Sequence, residues 1–302
     1  MTVTIGPTSD RDYENKKTLT SYLAKQLVQG KMALVLGAGI SQPLGLPGWK
    51  KLIRRMYRQK GSRPPKGMTP EDLAGHFLDQ RCKGDKKKFL DAVSKALYGG
   101  VDLSFENLKT NMTLEAIGSL VMASRRGSSS EVITFNFDDV LELFLEYHGF
   151  VVDSIVDEKY WRRNSDVTVY HPHGLLPSTK AHEGSQWIVF DRKSYSLDLR
   201  EDKPWNQQIL TTMRTHSCVF IGVSGDDDKL DWFLNRCNDT HASRLEGTKY
   251  WGITFMTDAK SPKKEKWKQR GVYPKVVVDY TTDLPKFLFG VCQTAATTYY
   301  GQ

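Results

Sequence analysis

The chain has 302 residues, 39% of them hydrophobic, and a formal net charge of +8. That supplies one large core or two small ones. No apolar run reaches the roughly 18 residues of a membrane span, and the polar N-terminus has no signal core, so a cytoplasmic protein is expected. Cys82, Cys218, Cys237 and Cys292 are scattered without a Cys-x-x-Cys pair. This speaks against a disulfide framework or a zinc ribbon and suits reduced, packed thiols.

The basic residues cluster at 50–63, 83–88 and 260–270. Such a balance permits weak attraction to nucleic acid or to an anionic substrate, and equally suits a solvated surface.

In chain order, residues 1–16 read as polar and ragged. Leu19, Tyr22, Leu23, Gln26 and Leu27 fall at helical spacing, and Gly30 suits the stop. Met32–Leu36 is a short apolar run, long enough for one buried strand. Gly37-Ala38-Gly39 follows at once. Small residues there let the backbone turn sharply and approach a phosphate closely. Trp49, Leu52, Ile53 and Met56 space as one helical face.

Thr69-Pro70-Glu71-Asp72 reads as a helix start: Thr as cap, Pro at the first position, acids in the first turn. Phe89–Leu97, closed by Gly99-Gly100, and Leu114–Val121 suggest two more helices. Residues 50–125 therefore form a helical block without a strand, an inserted subdomain.

Val132–Thr134 is the next buried strand, running into Phe135-Asn136-Phe137-Asp138-Asp139. A helix over Val140–Tyr147 stops at Gly149. Val151–Val156 and Val167–Tyr170 are further strands, the second ending in His171-Pro172-His173-Gly174. Trp187–Phe190 suits a short strand or hairpin arm, and Trp205–Met213 a helix. Cys218–Ile221 is a strand ending in Gly222–Asp228, with a helix to about Asn235. Trp251–Phe255 is a strand, Pro262–Arg270 a basic helix, Val276–Tyr280 the last strand and Leu284–Val291 the closing helix.

Apolar strands alternating with helices predict an α/β fold, a parallel sheet with helices on both faces. In such sheets ligands bind beyond the carboxyl ends of the strands. Those ends carry Gly37–Ser41, Asn136–Asp139, His173-Gly174, Gly222–Asp228 and Tyr280–Asp283. One crevice can collect them all. Asn136 caps the following helix, serves the crevice, or does both. Spacing does not choose between His171 and His173. Asp226-Asp227-Asp228 suits an acidic helix start better than a metal site.

Four motifs together resemble the sirtuin family, most closely its bacterial NAD-cleaving branch. They are Gly37-Ala38-Gly39-Ile40-Ser41 with Gly45-Leu46-Pro47, Thr134-x-Asn136-x-Asp138, His173-Gly174 and Gly222-Val223-Ser224. They follow the family's order, each after a strand, and the likeness covers roughly residues 20–292. It implies a Rossmann-like sheet and a single catalytic domain over 1–302.

It also implies roles. Gly37, Ala38 and Gly39 would lie against the pyrophosphate, and Ser41 near the ribose beside the scissile bond. Asn136 would position that ribose or an attacking water. Asp138 would bind the nicotinamide carboxamide, and His173 would be the general base. Gly222 and Ser224, with Asp227 as a neighbour, would face the adenosine side. These types suit the chemistry: nicotinamide leaves neutral through an oxocarbenium-like state, and histidine takes a proton near neutral pH.

The chain departs from sirtuin deacylases. Residues 174–205 hold no cysteine, so the family's zinc module and its acyl-lysine groove are not expected. Thr134-Phe135-Asn136 replaces Thr-Gln-Asn, and Gly48-Trp49-Lys50 replaces Asp-Phe-Arg. Pro47-Gly48-Trp49 is a habit of the sirtuin-like branch.

The expected function is therefore hydrolysis of NAD+ to ADP-ribose and nicotinamide. The resemblance implies an anti-phage effector controlled by self-association or by a separately encoded partner, a translocating ATPase or an Argonaute-like protein. Nucleic acid would act through that partner. The alternatives are an NAD-dependent deacylase, a non-catalytic NAD or ADP-ribose sensor, and a basic nucleic-acid module with a vestigial site. Acyl-lysine-dependent nicotinamide release would mark the first, and unchanged NAD+ in the assembled protein the second. Salt-dependent DNA binding without turnover would mark the third.

Overall fold

Side chains on a strand alternate between the two faces of its sheet. In β1 (Met32–Leu36) that split is clean. Met32, Leu34 and Leu36 join one apolar cluster, and Ala33 and Val35 the other. Every residue of this strand is buried, as expected of a strand covered on both sides. The structure, a computed structural model, describes residues 6–122, 127–157, 165–179, 184–198, 204–241 and 247–300.

The remaining strands are β2 (Glu131–Thr134), β3 (Val152–Ile155), β4 (Val167–Tyr170), β5 (Ser217–Ile221), β6 (Gly252–Met256) and β7 (Val272–Val276). All pair in parallel in one seven-stranded sheet, in the order β3-β4-β2-β1-β5-β6-β7. The α/β, Rossmann-like class expected from the alternation is the one observed.

The N-terminal helices are α1 (Asp10–Glu14) and α2 (Lys16–Val28). Between β1 and β2 run α3 (Trp49–Gln59), α4 (Pro70–Arg81), α5 (Lys86–Tyr98), α6 (Phe105–Leu108) and α7 (Met112–Val121). Beyond them come α8 (Val140–Tyr147), α9 (Arg192–Asp198), α10 (Pro204–Thr215), α11 (Asp228–His241), α12 (Lys263–Gln269) and α13 (Asp283–Tyr300). Leucines and phenylalanines of α2, α3, α5, α7 and α13 share the cluster of Leu34 and Leu36. Trp205, Ile209 and Met213 of α10, Phe233 of α11 and Trp267 of α12 cover the opposite face. The helical block thus shares the sheet's own core. No helix among the described residues is long and apolar enough to cross a membrane.

Several expectations are corrected. Residues 9–14 are ordered, not ragged: Ser9 and Asp12 form a reciprocal capping box, and Tyr13 is buried with its hydroxyl donating to the Tyr250 carbonyl at 2.8 Å. The last strand is Val272–Val276, not Val276–Tyr280. In the apolar run that suggested the later position, Val277 is buried but Val278 is 83% exposed. Pro274 is tolerated because β7 is an edge strand. Trp187–Phe190 is loop rather than strand; Ile188 and Phe190 are buried by packing, without ladder partners. Helices α11 and α13 run past the expected Asn235 and Val291.

Candidate active site

The connection from β1 leads toward β2, and that from β5 toward β6, on the other side of the sheet. Where neighbouring strands diverge in this way, a crevice opens at their carboxyl ends. Glycines let the two tips interlock beneath it. Gly37 N–H donates to the Ile221 carbonyl and Gly39 N–H to the Gly222 carbonyl, both at 3.0 Å. A Cβ on Gly39 would lie 2.6 Å from the Gly222 Cα, and Gly222 itself holds φ +71°.

A cavity of about 530 Å³ sits over this junction. Gly37 and Ala38 line it from β1, Asn136 and Asp138 from β2, His173 from β4, and Gly222, Ser224 and Asp227 from β5. The starts of α3 and α4 supply another wall through Trp49, Lys50, Pro70 and Glu71. The expected fifth motif, Tyr280–Asp283, does not line the cavity, because β7 already ends at Val276, and two expected residues lie behind it. Gly39 packs on Gly222, and Ser41 is buried, bracketing the β2 motif: its Oγ donates to Asp138 Oδ1 at 2.9 Å and accepts from Asn136 Nδ2 at 3.2 Å.

The cap reading of Asn136 does not hold, because the N-cap of α8 is Asp139. Asp139 instead accepts from the Tyr98 hydroxyl at 3.0 Å and from Ser178 N–H at 2.9 Å, tying the helical block to the loop after β4. Burial pushes the Asp138 carboxyl up to about 7; the Ser41 hydrogen bond opposes this, and Glu142 and Asp139 add to it. Near neutral pH this group can donate as well as accept.

The two histidines have different surroundings. His171 Nε2 lies 2.5 Å from Glu142 Oε1, both side chains fully buried, so this residue ties β4 to α8. His173 sits among rings: Phe135 at 5.2 Å, Tyr195 at 5.4 Å, Trp49 at 5.9 Å and Phe137 at 6.0 Å between centroids. Its Nε2 is 3.3 Å from Asp227 Oδ1 and 3.4 Å from the Tyr195 hydroxyl.

Asp227 caps α11, accepting from Leu230 N–H at 2.8 Å, and takes the Tyr195 hydroxyl at 2.7 Å on its other oxygen. Burial raises this carboxyl, but His173 and the hydrogen bonds from Leu230 and Tyr195 outweigh it and hold the group below its ordinary value. Burial, with Asp227 beside it, keeps the Tyr195 hydroxyl far above the usual phenol range, so it stays a donor. Asp226 pairs with Lys263. The acidic run is thus a helix start, and among the described residues no three His, Cys, Asp or Glu side chains gather in metal-binding geometry.

Three contributors escape sequence reasoning. Tyr195 lies on α9, in a stretch with no clear periodicity. Trp49 is legible as a helix face but not as a wall against His173. Lys229 is buried, driven down to about 7 by burial, and donates to the Pro172 carbonyl between the two histidines at 2.6 Å. Only its place directly after the acidic run hints at it.

Residues 130–275 match the family model of the SIR2-like domain. The chain is 22% identical over 226 residues to the NAD(+) hydrolase ThsA of Acinetobacter baumannii (strain 532279), covering 73% of this chain and 42% of that protein. It is also 22% identical over 224 residues to the NAD(+) hydrolase ThsA of Bacillus cereus (strain MSX-D12), covering 72% and 42%. The chain therefore spans less than half the length of either relative. A crystal structure of a SIR2 homologue in complex with NAD aligns over 92% of this chain and 94% of its own, at 14% identity and a TM-score of 0.47. On the match over residues 130–275 and the two relatives, this chain is similar to SIR2-like proteins of the sirtuin-like branch that includes NAD(+) hydrolases.

Proposed function

We propose that the chain binds NAD+ in this cavity and hydrolyses its nicotinamide–ribose bond. The bonding pair of that bond passes to the pyridinium nitrogen, which leaves neutral. A water oxygen bonds the anomeric carbon, and the water's proton goes to a base. The products are ADP-ribose and nicotinamide. The observation that carries the reading is that Asn136 and His173, 37 residues apart and just beyond the ends of neighbouring strands, line one cavity over the glycine junction.

In this reading Asn136 holds the ribose or the water, and His173 takes the proton. Asp138 pairs with the nicotinamide carboxamide, with Ser41 orienting both β2 side chains. Gly37 and Ala38 face the pyrophosphate, backed by Gly39. Gly222 and Ser224 face the adenosine side. The shared apolar core supports one catalytic unit, with the helical block as an insertion that walls the site. A role in anti-phage defence, by draining NAD+ under the control of an assembly partner, accords with the family resemblance, and the two relatives are named as NAD(+) hydrolases.

Turnover of NAD+ by the purified chain, with and without a co-encoded partner, tests the reading. Asn136→Ala and His173→Ala should each lose about 100-fold or more in rate while still binding NAD+. Rates equal to wild type in both variants would overturn the assignment.

A further inference from the structure

His173 has two ring nitrogens, and their surroundings differ. Nε2 faces a carboxylate and a phenol, Asp227 Oδ1 at 3.3 Å and the Tyr195 hydroxyl at 3.4 Å. Tyr195 has one proton to give, and Asp227 Oδ2 lies nearer, at 2.7 Å. The phenol is therefore committed to the carboxylate. The proton between the ring and Asp227 must then come from Nε2. The other nitrogen, Nδ1, is buried and has no hydrogen-bond partner among the described residues. Orphaned buried polar atoms of this kind are rare and call for an explanation, and for an imidazole that lines the cavity a catalytic role supplies one.

The geometry points to Asp227 as the positioning residue of His173: with Tyr195 fixing its carboxylate, it holds the Nε2–H tautomer and leaves Nδ1 as the atom that accepts the substrate's proton. This rests on His173 being the general base of the proposed hydrolysis. It moves Asp227 from the adenosine side of the cofactor to the back of the base. In the reaction, Nδ1 takes the proton of water or of a ribose hydroxyl, and the imidazolium so formed stays beside a fixed negative charge. Asp227 keeps its own charge throughout. Its anchoring is rigid, because Oδ1 also caps α11 through Leu230 N–H and Oδ2 holds Tyr195.

The test uses the full chain with Asp227→Asn and Tyr195→Phe. Asparagine is itself a good helix cap, so α11 keeps its start. For Asp227→Asn, kcat should fall about 10- to 100-fold with KM for NAD+ within about threefold. The acidic limb of its rate profile should move to lower pH, because the charge that favours the imidazolium is gone. Tyr195→Phe should lose a few-fold in kcat with a smaller move in the same direction.

A wild-type kcat and an unmoved profile in Asp227→Asn overturn the inference. So does a raised KM at constant kcat, which would return Asp227 to substrate binding. Nitrogen NMR of the labelled histidines, with the His173 signals identified by their loss in His173→Gln, reads the tautomer without any turnover. Nδ1 should be the unprotonated nitrogen in wild type. Finding Nε2 unprotonated overturns the inference even where NAD+ is hydrolysed. The expected tautomer in a chain that hydrolyses nothing upholds the positioning and overturns the hydrolase reading instead.

Discussion

Asp138→Asn should make the protein more stable at neutral and alkaline pH. Asp138 is 6% exposed, and burial carries its carboxyl from 3.8 to about 7. Between those values the unfolded chain has released this proton and the folded chain still holds it. The unfolded state binds fewer protons, so stability falls as pH rises through this window. At about 1.4 kcal/mol per pH unit, the full cost approaches about 4 kcal/mol, of which about 2–3 kcal/mol develops between pH 5 and pH 8. Asparagine keeps an oxygen to accept from Ser41 and removes the charge. Urea unfolding of both proteins at pH 5, 6, 7 and 8 reads the difference. The stability gap should move toward the variant by about 2–3 kcal/mol across the series. Lys229, lowered by burial to about 7, pulls the opposite way above pH 7, but it is present in both proteins and cancels. Parallel stability curves would refute the argument.

Two further substitutions probe the frame around the site. Gly222→Ala puts a Cβ 2.8 Å from the Ile40 nitrogen and 3.0 Å from the Gly37 carbonyl oxygen at φ +71°, all unyielding backbone; a loss of about 2–4 kcal/mol is expected, and an unchanged Tm in calorimetry would refute it. Thr69→Ala removes the oxygen that accepts Asp72 N–H at 3.2 Å at the start of α4. It should cost about 1 kcal/mol in urea unfolding, with Thr69→Ser near wild type.

What the sequence made legible was local. Met32–Leu36, Val167–Tyr170 and Val140–Tyr147 carry their own signals, apolar runs closed by glycine or by a polar strand end, and Thr69-Pro70 announces α4 by cap chemistry. What it hid was set by distant partners. α9 has little apolar periodicity; Ser194 N–H on Asp191 and the Arg192–Asp72 pair at 2.7 Å hold it in place. β7 was misplaced because an edge strand containing proline is defined by its neighbour β6, not by its own run. Tyr195 was invisible for the same reason, since its role depends on Asp227, 32 residues away.

The candidate site follows the same division. After β2, alternate residues part company: Asn136 and Asp138 both reach Ser41, while Phe135 and Phe137 both stand against the His173 ring. That period of two is readable in Thr134-Phe135-Asn136-Phe137-Asp138, and it makes the Asn-x-Asp spacing a statement about register. The receiving hydroxyl is not readable there, because Ser41 is 95 residues from Asn136 and arrives only when β1 and β2 pair. A chain selected for stability alone would fill this space with apolar side chains, since an ionised Asp138 opposes folding. Ser41 Oγ and Val140 N–H offset part of that cost, and in the proposed reading the polar groups of the bound nicotinamide offset more.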